Sequence, residues 1–198
     1  MSENRPMTIL EHLVELRGRL IKVVLALVIA TSVSLLFTRR FLALLTVPMG
    51  DNLPQAISPT ETVVIYFKVA LIGGLVLAMP VIVYQLISFI VPGLYPHERR
   101  YLLIVVPAAS LLFAAGVAFA YYIMLPTAIP FLLGFMGDII LQQWTIGKYM
   151  SLVTGLLFWV GVIFETPLVI AFLAYLGVVS PSMLWKNFRY AIVGIAVI

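Results

Sequence analysis

The sequence predicts an all-α fold, a polytopic transmembrane helix bundle. Two observations carry this. Of 198 residues, 63% are hydrophobic and only 10% are charged, where a soluble domain is about half apolar and a quarter charged. The apolar residues also come in long blocks without the alternation of a half-buried soluble element, giving a mean hydropathy of +1.15. Cysteine is absent, which excludes disulfides, thiolate metal sites and iron–sulfur ligation. The net charge of +4 fits loop bias in a membrane protein better than nucleic-acid binding.

Residues 1–198 read as one membrane domain with no internal repeat. The first element is an amphipathic helix over 7–19. Thr8-Ile9-Leu10-Glu11 forms a capping box, and Leu10, Leu13, Leu16 and Leu20 recur at helical spacing. His12, Glu15 and Arg19 fall on another face, so the helix is expected to lie on the membrane surface. Spans follow at about 20–37, 62–91, 101–124 and 149–178, with a fifth apolar stretch over 188–198. A crossing needs ~20 helical residues, so that last stretch is expected to be an incomplete span. The first span is expected to be retained, because its far end, Phe37-Thr38-Arg39-Arg40, offers no small-residue cleavage site. Spans two and four exceed the thickness of the hydrocarbon, which predicts tilting or bending. Pro80 and Pro167 are the candidate bend points.

With the N-terminus in the cytoplasm, eight of the twelve basic residues fall inside: Arg5, Arg17, Arg19, Lys22, Arg99, Arg100, Lys186 and Arg189. The other four, Arg39, Arg40, Lys68 and Lys148, lie outside. The positive-inside rule therefore favours this orientation, with Lys68 snorkelling outward. The outer loops run from Thr38 to Glu61 and from Leu125 to Lys148, the first with a short helix near Leu42–Leu45. Ser58-Pro59-Thr60-Glu61 reads as a capping box opening span two. The inner loops, 92–100 and 180–187, are short.

Enzyme signatures are missing: there is no Gly-rich phosphate loop and no paired-histidine zinc motif, and no cofactor or metal is implied. Three carboxylates hold the chemical interest. Glu15 and Glu98 both face the cytoplasm in this topology. On charge alone local ion pairing is the favoured reading of both: Glu15 with Arg19 at i, i+4, and Glu98 with Arg99 or Arg100. Glu165 sits near the middle of span four, where a carboxylate is costly and marks a functional site by default. Helix packing is its plain alternative. A proton- or ion-coupled secondary transporter with Glu165 as relay competes as a function, although no repeat halves accompany it.

The motif His12-Leu13-x-Glu15-Leu16-Arg17-x-Arg19-Leu20 is followed by Phe89-x-x-Pro92-x-Leu94-Tyr95-x-x-Glu98-Arg99-Arg100. Together they closely resemble TatC, the core receptor subunit of the twin-arginine protein translocase. Phe164-Glu165-Thr166-Pro167 and Pro48 also fit, and the resemblance covers essentially the whole chain. It implies a concave bundle, with six spans in the family, of which this sequence holds four and part of a fifth. It further implies that Glu15 and Glu98 receive the paired arginines of a signal peptide, supported by His12, Leu16, Arg17, Arg19, Phe89, Leu94, Tyr95 and Arg99. Glu165 would be an intramembrane polar site, with Pro48 and Pro167 structural. The implied partners are TatA and TatB or one bifunctional TatA-type subunit, twin-arginine signal peptides of folded cargo, lipid and further copies of the chain. The implied setting is a bacterial or archaeal cytoplasmic membrane, where export draws on the proton-motive force.

The orientation is directly testable, because a cysteine-free chain accepts single labelling sites. Cysteines introduced near Gly93 and Ser182 are expected to react from the cytoplasmic side, and those near Asn52 and Gln142 from the outside. The reverse pattern would overturn the topology.

Overall fold

A computed structural model describes residues 9–50, 54–90, 99–136, 139 and 143–175. Helix α1 runs Ile9–Thr46 and ends in a 3-10 turn, Val47–Met49, that contains Pro48. Helix α2 is Pro59–Ile90. Helix α3, Arg99–Phe119, passes through a π-helical turn, Ala120–Met124, into α4, Leu125–Gly134. Helix α5 is Ile146–Tyr175. The four long helical segments are each apolar and long enough to cross a membrane. The ends holding Ile9, Ile90 and Arg99 are called proximal here, and those holding Thr46, Pro59, Gly134 and Ile146 distal.

Several elements differ from the sequence expectation. The separate helix expected over 7–19 is instead the first part of α1, which runs on for 38 residues without a break, about 57 Å. Nothing in Arg17-Gly18-Arg19-Leu20 stops a helix: a lone glycine costs only about 1 kcal/mol, and no proline follows. The short helix expected near Leu42–Leu45 is the last turn of that same α1. The third span does not end at Met124. It continues to Gly134, which removes the first part of the expected loop from Leu125 to Lys148. Pro126 lacks an N–H and crowds the preceding turn. The wider π turn at Ala120–Met124 accommodates it, so the helix continues instead of stopping. Helices α2 and α5 likewise run through Pro80 and Pro167. The stretches 92–98 and 180–198, with the expected fifth span, lie outside the described residues.

Packing follows the small residues. Helices α1 and α2 run antiparallel in close contact, and α3 pairs with α5, while α2 also touches both α3 and α5. In lipid, helices gain nothing from burying apolar surface as such, so close backbone approach and van der Waals packing decide where they meet. A Cβ on Gly74 would stand 2.5 Å from the Cα of Thr31, and one on Gly116 would stand 2.9 Å from the Cα of Gly161. These two glycines let α1 meet α2 and α3 meet α5. Around the crossings lie two apolar clusters. The larger, distal one gathers Leu45, Val69, Leu125, Ile129, Tyr149 and Val153, and the proximal one Met79, Val83, Ile87, Ala109 and Phe113.

The distal end is tied by hydrogen bonds. The Tyr66 hydroxyl donates to the Leu35 carbonyl (3.1 Å), Tyr121 to Leu44 (3.0 Å) and Tyr149 to Leu45 (2.7 Å). The Thr46 hydroxyl donates to the carbonyls of Leu42 and Ala43. The Glu61 carboxylate does cap the start of α2, with the Ser58 backbone among its partners, but its stronger bonds go elsewhere. One carboxylate oxygen accepts from the Ile57 N–H (3.0 Å) and the other from the Gly147 N–H at the start of α5 (2.8 Å). The Ser58 hydroxyl pairs with that of Thr60 instead. Beside this, Gln55 donates to the Trp144 carbonyl and accepts from the Ile146 N–H, so the two distal connections are stitched together. Lys68 is not simply snorkelled: its ammonium donates to the Ser151 hydroxyl of α5 at 2.7 Å.

The glycine at the first crossing has a matched control. Gly155 in α5 has open space where a Cβ would be. Gly74→Ala is expected to cost about 1–3 kcal/mol through overpacking, whereas Gly155→Ala is expected to be neutral or slightly stabilising. Thermal denaturation of the detergent-solubilised variants measures both. Equal melting temperatures would show that the Gly74 contact does not constrain α1.

Candidate functional site: a half-satisfied carboxylate at the proximal end

His12, Glu15 and Arg19 are spaced at i, i+3 and i+7, which brings them onto one face of α1. Arg19 donates from Nε to Glu15 Oε1 at 2.9 Å, and its Nη2 donates to the same oxygen. The local ion pair read from the sequence is therefore present. It uses one oxygen only. Glu15 Oε2 is buried, accepts no hydrogen bond, and lies 4.0 Å from His12 Nδ1, beyond hydrogen-bond reach. Both partners of the pair are largely covered, at 21% and 22% exposure, so a free carboxylate oxygen there is an unmet acceptor that favours a donor.

The His12 ring holds this turn in place. It stacks on Phe89 of α2 with centroids 4.4 Å apart and planes 19° from parallel. The last turn of α2 thus fixes the position of the first turns of α1. Leu10, Leu13, Leu16 and Leu20, the apolar stripe, are all exposed, as is Arg17. The stripe is therefore not covered by the other described helices. Arg99 opens α3. Glu98, Leu94 and Tyr95 lie outside the described residues, so of the expected carboxylate pair only Glu15 is located.

Glu165 lies on α5 between Val162 and Leu168, both packed against the α2–α3 cluster. It is half-buried, and its Oε1 is buried without a hydrogen-bond partner. Its neighbour Phe164 meets Phe119 with centroids 5.5 Å apart and abuts Gly116. The ring anchors this stretch of α5 while the carboxylate remains unpaired. Pro167 is exposed.

Two further residues were not singled out in the sequence. Gln85 Oε1 and Ser88 Oγ, both in the last two turns of α2, are buried without partners. The available signal was their polarity inside an apolar helix, where an unsatisfied group is costly. Among the described residues no group of histidines and carboxylates could hold a metal ion. What Glu15 offers is an open carboxylate oxygen, which suits a donor-rich cationic ligand, guanidinium above all.

Comparison with known proteins gives the family. The family described as Sec-independent protein translocase protein (TatC) matches residues 11–198. The Sec-independent protein translocase protein TatC of Carboxydothermus hydrogenoformans is 39% identical over 192 residues, covering 96% of this chain and 79% of that protein. Its namesake from Escherichia coli is 34% identical over 203 residues, covering 100% of this chain and 79% of that protein. A crystal structure of the twin arginine translocase receptor TatC, in DDM, superposes with a TM-score of 0.84 at 36% identity. It covers 92% of this chain and 84% of that one. With a family match over nearly its whole length and a shared fold, this multi-pass membrane chain belongs to the TatC family of Sec-independent protein translocase proteins.

Proposed function

We propose that this chain is the signal-peptide receptor and core subunit of a twin-arginine translocase, exporting folded proteins on the proton-motive force. The proximal end faces the cytoplasm of a bacterial or archaeal cell in this reading, as the basic-residue bias favours. The observation that carries it is the open oxygen of Glu15, beside an ion pair and a His12–Phe89 stack that restrict its movement. A guanidinium offers five donors in a rigid plane. One arginine of the signal peptide binds Glu15 through Oε2, and Glu98, which precedes α3 in the sequence, takes the other. Leu16, Arg17, Leu94, Tyr95 and Arg99 supply the surrounding surface. Partners follow from the family: TatA and TatB or one bifunctional TatA-type subunit, and further copies of this chain.

Glu165 has a separate role in this reading. Its unpaired oxygen on α5 engages a polar group of the substrate or a partner helix, without being required for the fold.

Binding of a twin-arginine peptide to purified protein tests the first role. A hydrogen bond to a charged group contributes about 1.5–3 kcal/mol, so Glu15→Ala and Glu98→Ala are each expected to weaken binding about tenfold or more. A paired-lysine peptide, lacking the planar fork, is expected to bind less well, and added salt to weaken binding throughout. If neither carboxylate matters, or lysine and arginine peptides bind alike, local pairing with Arg19 is the whole role of Glu15.

For Glu165, the measurement is export in cells relying on the variant. Glu165→Gln is expected to leave insertion and peptide binding intact while reducing export. Wild-type export by both Glu165→Gln and Glu165→Ala would reduce the residue to a packing element.

A further inference from the structure

The open oxygen of Glu15 has a close neighbour. His12 Nδ1 stands 4.0 Å from Oε2 at i, i+3 on α1, while both bonds from Arg19 use Oε1. The His12 side chain is 44% exposed, so it exchanges protons with water. Histidine is the side chain whose charge changes between pH 5 and 8. A neutral ring at 4.0 Å makes no hydrogen bond to the carboxylate. A protonated ring carries an N–H donor on each nitrogen, and a shift of roughly 1.2 Å brings Nδ1 to the ~2.8 Å of a charge-assisted bond. The stack on Phe89 is compatible with that charge, because an aromatic face attracts a cation.

The other ionisable groups at this end leave the titration to imidazole. Among the described residues, Glu11, Arg17, Arg19 and Lys22 accompany Glu15 in the first turns of α1, and Arg99 and Arg100 open α3. From Val69 to Ile90, α2 carries no charged side chain, and Tyr84 is its only ionisable group there. Of these side-chain types only imidazole ordinarily changes charge between pH 5 and 8. His97 and Glu98 lie outside the described residues, and His97 is the one other histidine in the sequence.

Resting on the receptor reading above, we infer that His12 is a proton-controlled gate on the free oxygen of Glu15. With the ring neutral, Oε2 is open to an arginine of the signal peptide. With the ring protonated, His12 takes Oε2 for itself, and its positive charge opposes the incoming guanidinium. Arginine and proton therefore compete for one carboxylate oxygen. Linkage makes the competition reciprocal: peptide binding drives a proton off His12 to the same extent that protonation drives the peptide off Glu15. His12 acts through Glu15 and is a positioning residue of the site.

Affinity of the purified protein for a twin-arginine peptide, at pH 8 and pH 5.5 and fixed ionic strength, tests this. Binding is expected to be about tenfold weaker at the lower pH, which lies toward the acid end of the imidazole range. The quantity compared is the ratio of the two affinities within each variant, so a change in overall affinity does not enter. His12→Phe keeps a ring against Phe89 and removes the titrating nitrogens, and His12→Gln keeps a polar group without the charge. Both are expected to bring the ratio close to one, whereas His97→Gln is expected to keep it. Calorimetry near pH 6, in two buffers of different ionisation enthalpy, is expected to show proton release on binding to the wild type and none in His12→Phe. A wild-type ratio near one, or a ratio that survives both His12 variants, overturns the gate. So does loss of the ratio in His97→Gln alone, which assigns the titration to the segment before α3. In each of those cases the receptor reading stands if Glu15→Ala weakens binding at pH 8. Binding at pH 8 that is absent, or indifferent to Glu15→Ala, defeats the receptor reading and the gate with it.

Discussion

The last carbonyls of a helix have no donor within it, and the architecture here depends on how the end of α1 supplies partners for its own. A buried carbonyl left without a partner costs about as much as a lost hydrogen bond. In α1 the carbonyls of Leu42 and Ala43 take the Thr46 hydroxyl, Leu44 takes Tyr121, and Leu45 takes Tyr149. Two of these donors come from other helices. Capping the helix and assembling the bundle are therefore the same event. The distal cluster of Leu45, Val69, Leu125 and Val153 forms around the same tyrosines. The Glu61 carboxylate extends the principle to the connections, joining the start of α2 to the N–H groups at the start of α5.

The proximal half has the opposite character. There Glu15 Oε2, Gln85 Oε1, Ser88 Oγ and Glu165 Oε1 are buried without hydrogen bonds. A protein selected for stability alone would pair such atoms or replace them with methyl groups. Thr31 Oγ1 and Ser34 Oγ, at the α1–α2 crossing, share this state, so unmet polar atoms run from the proximal end to the middle of the bundle and stop short of the hydrogen-bonded distal end.

Helix α1 has a special position in this division. It packs along α2, and most of its length is exposed. The glycine-mediated crossing at Thr31 and Gly74 and the His12–Phe89 stack hold it to α2. Toward its distal end α1 also meets α5, where the Tyr149 hydroxyl donates to the Leu45 carbonyl.

Composition and hydropathy determined the all-α class, four of the spans and their approximate positions, because transfer of an apolar block into lipid is a property of the block alone. The motif around His12, Glu15 and Arg19 was legible for a related reason: i, i+3 and i+7 spacing sets a helical face before any tertiary contact exists. Helix ends were the least legible. The stretch from Leu125 read as the start of an outer loop, yet the π turn and the burial of Leu125 and Ile129 carry the helix on to Gly134. The amphipathic stretch 7–19 and the apolar run after it read as separate elements, but nothing between them interrupts the backbone hydrogen bonds of one 38-residue helix. Only the tertiary structure decided which partners each polar group meets: Glu61 with Gly147, Lys68 with Ser151, the tyrosines with α1, and Glu15 with a single arginine and one oxygen to spare. Those pairings join residues as far as 104 positions apart. No local pattern encodes them, because they depend on which helices the small residues allow to touch.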